Sequence, residues 1–223
     1  MKNFIKKKLN ENLVFELIDN MVDEEYPQSF NIEEFKTLRS FNKRIQYCQE
    51  HLKRISSGSS RIVYMVDNEK VLKLAKNNKG LAQNEIEIEY GGYYDISDIV
   101  AKIFDYDENN LWVEMELARK VTKPIFKMVT GYSFEDYSKA IYNYGIDSGN
   151  GRGSKYDIDK NIVEDMWENE FTYGIFSFIG DYGLPTGDFL RLSSYGLVKR
   201  DGKDTIVMID YGLNNDVYQS YYS

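Results

Sequence analysis

Residues 56–75, with the sequence SSGSSRIVYMVDNEKVLKLA, decide the fold. Two apolar runs, Ile62–Val66 and Val71–Leu74, flank a polar segment at Asp67–Glu69, and this pattern predicts a β-hairpin. The small residues before the first strand let backbone amides approach an anionic group, and their hydroxyls can add donors. The same residues are also typical of an ordinary turn, so the loop alone does not indicate a site.

Lys73 lies on the second strand of this hairpin among apolar neighbours. Alternation along a strand puts Lys73 and Val71 on the same side. The lysine either lies on an exposed face or presents its ammonium group to a site. The helix predicted next can turn one glutamate inward to hold that ammonium group. Its candidates are Glu85, Glu87 and Glu89.

The rest of the chain divides into helical and β-rich segments. The first fifty residues predict two helices separated by Pro27, the second of which begins at Asn31. Beyond the hairpin, the predicted elements are a helix over Leu81–Tyr90, strands over Ile99–Phe104 and Leu111–Leu117, a helix capped by Ser133, a Gly-rich loop over Gly145–Ser154, a helix over Ile158–Phe178, and strands over Tyr195–Val198 and Thr205–Ile209. This succession predicts an α+β protein.

Two aspartates near the C-terminal strands are candidates for chemistry. Asp210 ends an apolar strand directly before a glycine turn, which is a common way to present a metal ligand. Asp188 lies twenty-two residues upstream, in Gly187-Asp188-Phe189. Two carboxylates that flank a hairpin can divide the work, one binding Mg²⁺ and one orienting a hydroxyl nucleophile. Each is also compatible with a turn-forming or capping role.

Composition excludes several classes of function. The 28 basic and 36 acidic side chains give a net charge of −8, whose field repels a phosphate backbone, so nucleic-acid binding is disfavoured. Cys48 and His51 are the single cysteine and histidine, which excludes an internal disulfide, a Cys/His metal site and Ser-His-Asp or Cys-His catalysis. No apolar run approaches a transmembrane span and Met1–Leu9 has no apolar signal core, so we expect a cytosolic protein without a membrane partner.

The order of these features resembles the protein kinase-like superfamily: a small-residue loop, a strand lysine, a helix glutamate, a hinge-like strand, an aspartate and an Asp-Tyr-Gly turn. Several strings look more closely like small kinase-like proteins encoded in phage genomes, namely 58–64 (GSSRIVY), 71–77 (VLKLAKN), 83–87 (QNEIE), 193–198 (SSYGLV) and 209–213 (IDYGL). The resemblance covers about Ile55 to Tyr222, although residues 121–185 contribute little. It implies a two-lobed fold, with a helical extension over 1–53, a β-rich N-lobe with one helix over 54–118, and a reduced, mostly helical C-lobe over 119–223.

Carried over residue by residue, the resemblance implies a site for ATP and Mg²⁺. Lys73 would contact the nucleotide phosphates, with Glu87 as its ion-pair partner and Glu85 as second choice. Asp188 matches the catalytic-loop aspartate, and Asp210 matches the Mg²⁺ ligand. The other implied contacts are the phosphate-covering loop Gly58, Ser59 and Ser60, and the hinge over Glu114–Leu117, including Glu114 and Glu116, whose backbone would hydrogen-bond adenine.

The chain departs from the family pattern in three places. The loop has one glycine where the family usually has three, and no His-Arg precedes Asp188. Ser193, beside Ser194, stands where an asparagine is expected to bind the second metal ion, and a hydroxyl is a poorer Mg²⁺ ligand than an amide carbonyl. Eleven residues follow Gly212, so we expect a minimal fold without an activation segment or peptide-docking helices.

Two functions from different classes fit these matches and departures. The first is a minimal ATP-dependent kinase that transfers the γ-phosphate to a protein hydroxyl or a small-molecule acceptor. The retained Lys73, Glu87, Asp188 and Asp210 favour it. The second is a pseudokinase-like binding module, which the missing asparagine favours. Such a module would dock a protein partner through the N-terminal helices, in the host cytoplasm or in a phage particle.

Overall fold

The computed structural model describes Pro27 and residues 29–221. Its helices and strands, in chain order, are α1 (Ile32–Thr37), α2 (Phe41–His51), β1 (Lys53–Ser57), β2 (Arg61–Met65), β3 (Lys70–Ala75), α3 (Asn78–Gly91), β4 (Ile103–Tyr106), β5 (Trp112–Glu116), β6 (Arg119–Lys120), α4 (Lys123–Thr130), α5 (Phe134–Asp147), α6 (Lys160–Glu168), α7 (Glu170–Asp181), β7 (Tyr195–Arg200), β8 (Lys203–Met208) and α8 (Asn215–Tyr221). The helix predicted before Pro27 lies outside the described residues.

In the described part of the chain, the N-lobe is built on a five-stranded antiparallel sheet with the order β1-β2-β3-β5-β4. The predicted hairpin is confirmed as β2 and β3, in which Val63 lies opposite Lys73. The strand predicted over Ile99–Phe104 is wrong at its start. Val100 instead forms a parallel bridge with Met208 of the second sheet, and β4 begins only at Ile103.

The two faces of this sheet contact different parts of the molecule, because side chains alternate along each strand. On the outer face, Leu72, Leu74 and Trp112 are buried against α1 and α2. Phe35 of α1 is fully buried, with its ring centroid 6.2 Å from that of Trp112, and Cys48 of α2 is buried in the same cluster. The described helices of the N-terminal extension therefore form one hydrophobic core with the sheet, and the inner face packs against α3 and the C-lobe.

The C-lobe packs its helices against a small sheet with the order β6-β7-β8. The predicted cap at Ser133 is confirmed, since its side chain accepts a hydrogen bond from the Asp136 amide. The prediction of a single helix over 158–178 is wrong, because the helix is interrupted at Asn169, which lies between α6 and α7. The Asn169 side chain accepts from the Thr172 amide, and this local bond starts a new helix.

The Gly-rich loop begins later than predicted, because α5 continues to Asp147. Gly145 therefore lies inside the helix, where it is in close contact with Thr186. A Cβ on Gly145 would come within 2.5 Å of the Thr186 methyl carbon. This glycine lets the segment before Asp188 pack directly on α5.

One hydrophobic cluster runs through both lobes. It joins Val71, Ile86 and Met115 of the N-lobe to Met208 and Tyr211 of the C-lobe. The α+β class and the order of parts implied by the resemblance are confirmed for the described residues: helices come first, then a β-rich part with α3, then a mostly helical part. Among the helices described, none has the length and apolar character needed to cross a membrane.

Phe35→Ala tests whether α1 belongs to the N-lobe core. The substitution removes a fully buried ring that lies between Phe30 and Trp112, so we expect the free energy of unfolding to fall by about 3–4 kcal/mol. Urea unfolding followed by tryptophan fluorescence measures this loss. Tyr94→Ala is the control, because Tyr94 is 95% exposed and its loss should change stability by less than about 0.5 kcal/mol. Equal effects of the two variants would show that α1 adds nothing to this core.

Candidate active site

Lys73 and Glu87 form a buried ion pair between the inner face of β3 and α3. Lys73 is 6% exposed and Glu87 is fully buried. Both carboxylate oxygens of Glu87 lie 2.9 Å from Lys73 Nζ, which also donates to the backbone carbonyl of Ile209. Of the candidate glutamates, helical periodicity puts Glu87 on the buried face with Gln83 and Asn84. Glu85 is exposed and takes no part in the pair.

Arg61 is a second buried cation at the same place, and the sequence analysis did not single it out. Its Nη1 lies 2.8 Å from Glu87 Oε2, and its Nη2 lies 2.5 Å from Asp210 Oδ1. Nη1 also lies 3.4 Å from the Asn84 side-chain oxygen. Alternation along β2 was the signal that could have placed Arg61 on the same face of the sheet as Lys73. Arg61 and Val63 share a face, and Val63 lies opposite Lys73.

The two cations have opposite pKa shifts because they have different partners. Burial lowers the pKa of Lys73, and the attraction of Glu87 does not fully offset it, since Arg61 repels the ammonium group. Burial also acts to lower the pKa of Arg61, but the carboxylates of Glu87 and Asp210 outweigh it and raise the pKa above its ordinary value. Glu87 thus forms ion pairs with both cations, and Arg61 forms a second ion pair with Asp210.

The loop Gly58–Ser60 is tied to the start of α3. Its carbonyls accept from Lys76 and Asn77: Lys76 Nζ lies 2.9 Å from the Gly58 oxygen, Asn77 Nδ2 3.1 Å from the Ser59 oxygen, and the Lys76 amide 2.8 Å from the Ser60 oxygen. These bonds place the loop beside the N-terminus of α3.

Ser60 and Gly80 form the closest contact between the loop and α3. The Ser60 hydroxyl is buried and donates to Gln83 Oε1 at 2.5 Å, so it is engaged with α3. A Cβ on Gly80 would lie 2.3 Å from the Ser60 carbonyl oxygen, which explains why a glycine is needed where the loop approaches the helix. Gly58 and Ser59 are the exposed part of the loop.

Asp188 lies in the segment between α7 and β7, where it is held by its neighbour Phe189. The Phe189 ring is buried against Phe178, and its carbonyl accepts from the Tyr195 hydroxyl at 2.9 Å. The Asp188 side chain is 13% exposed, and its Oδ1 lies 3.5 Å from Arg191 Nη1. Burial, together with repulsion from Asp210, raises the pKa of Asp188 to about 6.

The turn after β8 fixes Asp210 against α3. The Tyr211 amide donates to Glu87 Oε1 at 3.3 Å, and the Tyr211 hydroxyl donates to the Ala101 carbonyl. A Cβ on Gly212 would lie 2.5 Å from the Gln83 carbonyl oxygen, so this close approach requires a glycine. Asp210 itself keeps 46% of its side chain exposed. The predicted Asp-Tyr-Gly turn therefore brings an accessible carboxylate beside the buried ion pair.

Ser193 and Ser194 lie in a 3₁₀ turn at Leu192–Ser194. Ser193 is exposed and Ser194 is buried. The Ser194 carbonyl accepts from the Ile209 amide at 2.8 Å, so this turn lies next to the residue that precedes Asp210. Their role as metal ligands stays a prediction.

Glu114 and Glu116 lie away from the ion-pair cluster. Glu114 is opposite Leu72 on the outer face of the sheet and its Oε1 lies 3.2 Å from Lys70 Nζ. Glu116 Oε2 lies 2.8 Å from Arg200 Nη2. The Glu116 amide donates to the Lys102 carbonyl. These side chains form ion pairs at the end of β5. The hinge, and the contact of its backbone with adenine, stay predictions.

Asp188 and Asp210 fit a magnesium ion that arrives with phosphate. Mg²⁺ usually takes one or two protein carboxylates and completes its coordination with water and substrate phosphates. The described residues hold no group of three or more His, Cys, Asp or Glu side chains that could bind a metal. Arg61 already contacts one oxygen of Asp210.

Comparisons with known proteins give the following likenesses. The sequence matches no protein-family model and no curated protein. The structure is similar to two structures of the aminoglycoside phosphotransferase APH(2'')-IIa, a ternary complex with streptomycin and ATP and a complex with gentamicin. Their identities are 11% and 12% and their TM-scores 0.34 and 0.33, over 79% of this chain and over 72% and 70% of those chains. It is also similar to an ethanolamine kinase of Plasmodium vivax, at 13% identity and a TM-score of 0.32, over 85% of this chain and 69% of that chain.

Glu87→Gln tests the central ion pair. The amide leaves the buried charges of Lys73 and Arg61 without their shared counterion, so we expect the free energy of unfolding to fall by about 3 kcal/mol or more. The matched control is Glu85→Gln on the same helix, which changes an exposed side chain and should cost less than about 0.5 kcal/mol. Both are measured by urea unfolding. A similar small loss in the two variants would contradict the assignment of Glu87.

Asp188→Asn tests the raised pKa of Asp188. The folded-state pKa, about 6, lies above the unfolded value, so ionising this side chain destabilises the fold as pH rises through about 6. Asparagine does not ionise. We therefore expect the variant to gain up to about 2 kcal/mol of stability relative to wild type between about pH 4.5 and pH 8. Urea unfolding at the two pH values measures the gain. Exposed Asp98→Asn serves as control, and a pH-independent difference for Asp188→Asn would refute the shift.

Proposed function

We propose that this chain is a minimal ATP-dependent phosphotransferase that moves the γ-phosphate to a hydroxyl group of a protein or a small molecule. The observation that carries the proposal is the buried Lys73–Glu87 pair, which faces Asp210 from the other lobe. Asp188 lies close enough to Asp210 for the charge of Asp210 to raise the pKa of Asp188. A buried cation beside two acidic groups suits phosphoryl transfer, because that reaction depends on positioning and on charge compensation.

Each side chain of the site has a distinct task in this reaction. Lys73 offers N–H donors to phosphate oxygens, and Glu87 holds the ammonium group in place. Asp188 accepts the proton of the acceptor hydroxyl while the hydroxyl oxygen bonds to the γ-phosphorus and the bond to the β-phosphate oxygen breaks, which leaves ADP. When bound at Asp210, Mg²⁺ supplies further positive charge for the phosphate oxygens. The raised pKa of Asp188 lies near neutrality, as suits a general base.

A second candidate function is a pseudokinase-like scaffold that binds a partner without catalysis. Two observations favour it. Arg61 occupies one oxygen of Asp210, and Ser193 stands where a metal-binding asparagine was expected. Under this reading, the N-terminal helices dock a protein partner. The closeness to small phage-encoded proteins, and a site of action in the host cytoplasm or in a phage particle, are part of this proposal.

The experiment that separates the two functions measures nucleotide binding and phosphate transfer in the same variants. By calorimetry, wild type should bind Mg·ATP, and Lys73→Met should weaken binding at least about tenfold, a loss of roughly 1.4 kcal/mol. Lys120→Met, on an exposed residue, should bind like wild type. Asp188→Asn should keep binding but lose about a hundredfold or more of the release of phosphate from labelled ATP.

The outcomes discriminate as follows. Binding with no phosphate release in wild type favours the scaffold. Equal release in wild type and Asp188→Asn contradicts the role of Asp188 as the base. No heat at millimolar ATP from a folded protein rejects the phosphotransferase proposal. Circular dichroism of each variant shows that the fold is retained.

A further inference from the structure

The group of buried charges around Glu87 contains a second cation, Arg61. The phosphotransfer roles of Lys73 and Asp210 assign no task to it. Arg61 is 8% exposed and joins Glu87 to Asp210 across the two lobes. It follows directly after the loop Gly58–Ser60, where a polyphosphate is expected to approach. A buried arginine between two carboxylates can be simply structural. Its contact with Asp210, the proposed metal ligand, indicates a further role.

We propose that Arg61 competes with a divalent cation for Asp210, and that the phosphates of a nucleotide relieve this competition by drawing the guanidinium group away. In the free protein the guanidinium group occupies the cation position on this carboxylate. Metal and nucleotide then bind together, each favouring the other. The second half of this proposal rests on the proposed function, whereas the competition itself does not.

The competition follows from the geometry at Asp210. Nη2 of Arg61 lies 2.5 Å from Oδ1, and a metal ion bound to the same oxygen would approach within about 2.1 Å. Two cations this close to one oxygen repel each other strongly in a partly buried site. Asp210 is half-exposed, and so remains open to solvent ions. Loss of the arginine contact therefore releases a carboxylate that a metal can reach.

Arg61 also has the donors needed to change partners. A guanidinium group carries five N–H donors in a planar fork, which can bond a carboxylate and a phosphate together. Its Nη1 contact with Glu87 can persist while Nη2 leaves Asp210. Lys73 is less able to do this, since both oxygens of Glu87 and the Ile209 carbonyl accept from its three-donor ammonium group. Arg61 can therefore move to a phosphate with the loss of fewer existing hydrogen bonds than Lys73.

The test measures Mn²⁺ binding to the full chain without nucleotide, from the electron paramagnetic resonance signal of free Mn²⁺. Arg61→Gln should raise the Mn²⁺ affinity at least fivefold over wild type. The gain should vanish when Asp210→Asn is added. Arg119→Gln is the matched control, since it breaks another arginine–aspartate pair, with Asp204, and should leave Mn²⁺ binding unchanged. Arg61→Lys should also raise the affinity, because a single ammonium nitrogen on a shorter side chain does not reproduce the separate Nη1 and Nη2 contacts to Glu87 and Asp210. This variant replaces Arg61→Gln if Arg61→Gln unfolds.

A second measurement tests the exchange onto phosphate. In the presence of a chelator, ATP should bind Arg61→Gln at least tenfold more weakly than wild type, whereas adenosine should bind both equally. Equal Mn²⁺ affinity in folded wild type and folded arginine variants, or a gain that survives Asp210→Asn, overturns the competition. Equal binding of metal-free ATP overturns the exchange. If no nucleotide binds at all, the phosphotransferase proposal and the exchange fail together, while the Mn²⁺ titration still decides the competition.

Discussion

The buried carboxylate of Glu87 is the interaction on which the site depends. It is fully enclosed, and it accepts from Lys73, from Arg61 and from the Tyr211 amide. These donors come from β3, β2 and the turn after β8, so one side chain of α3 connects both strands of the hairpin to the C-lobe. Without this anion, two positive charges would be buried with Asp210 and Asp188 as the remaining nearby carboxylates, an arrangement whose desolvation cost is high.

Local patterns predicted the parts of the site that lie on regular elements. The alternation around Lys73 and the glutamates of α3 are visible in short windows of sequence, and the Asp-Tyr-Gly turn ends an apolar strand. Periodicity left Glu85 and Glu87 as alternatives, because only the packing of α3 against the sheet decides which face is buried. Arg61 was missed because its place in the site depends on its contact with Asp210, which is 149 residues away along the chain.

The fold shows the same division between local and distant information. The β2–β3 hairpin and the cap at Ser133 follow from residues a few positions apart. The interruption at Asn169 also has a local cause, the N-cap hydrogen bond of its side chain. The apolar residues on both sides continue a helical pattern through Asn169, so the sequence predicted one helix. The bridge from Val100 to Met208 joins the lobes. Such a pairing cannot be seen in either segment alone, so the strand prediction extended too far.

The anchored serine loop has a consequence for the kinetics of ligand exchange. Three successive carbonyls of the loop are bonded to Lys76 and Asn77 before any ligand arrives. The conformational entropy of ordering this segment is therefore lost during folding, and binding does not incur it again. For a ligand bound as proposed, entry and exit would then depend on movement of the two lobes, and the hydrophobic cluster that they share opposes wide separation.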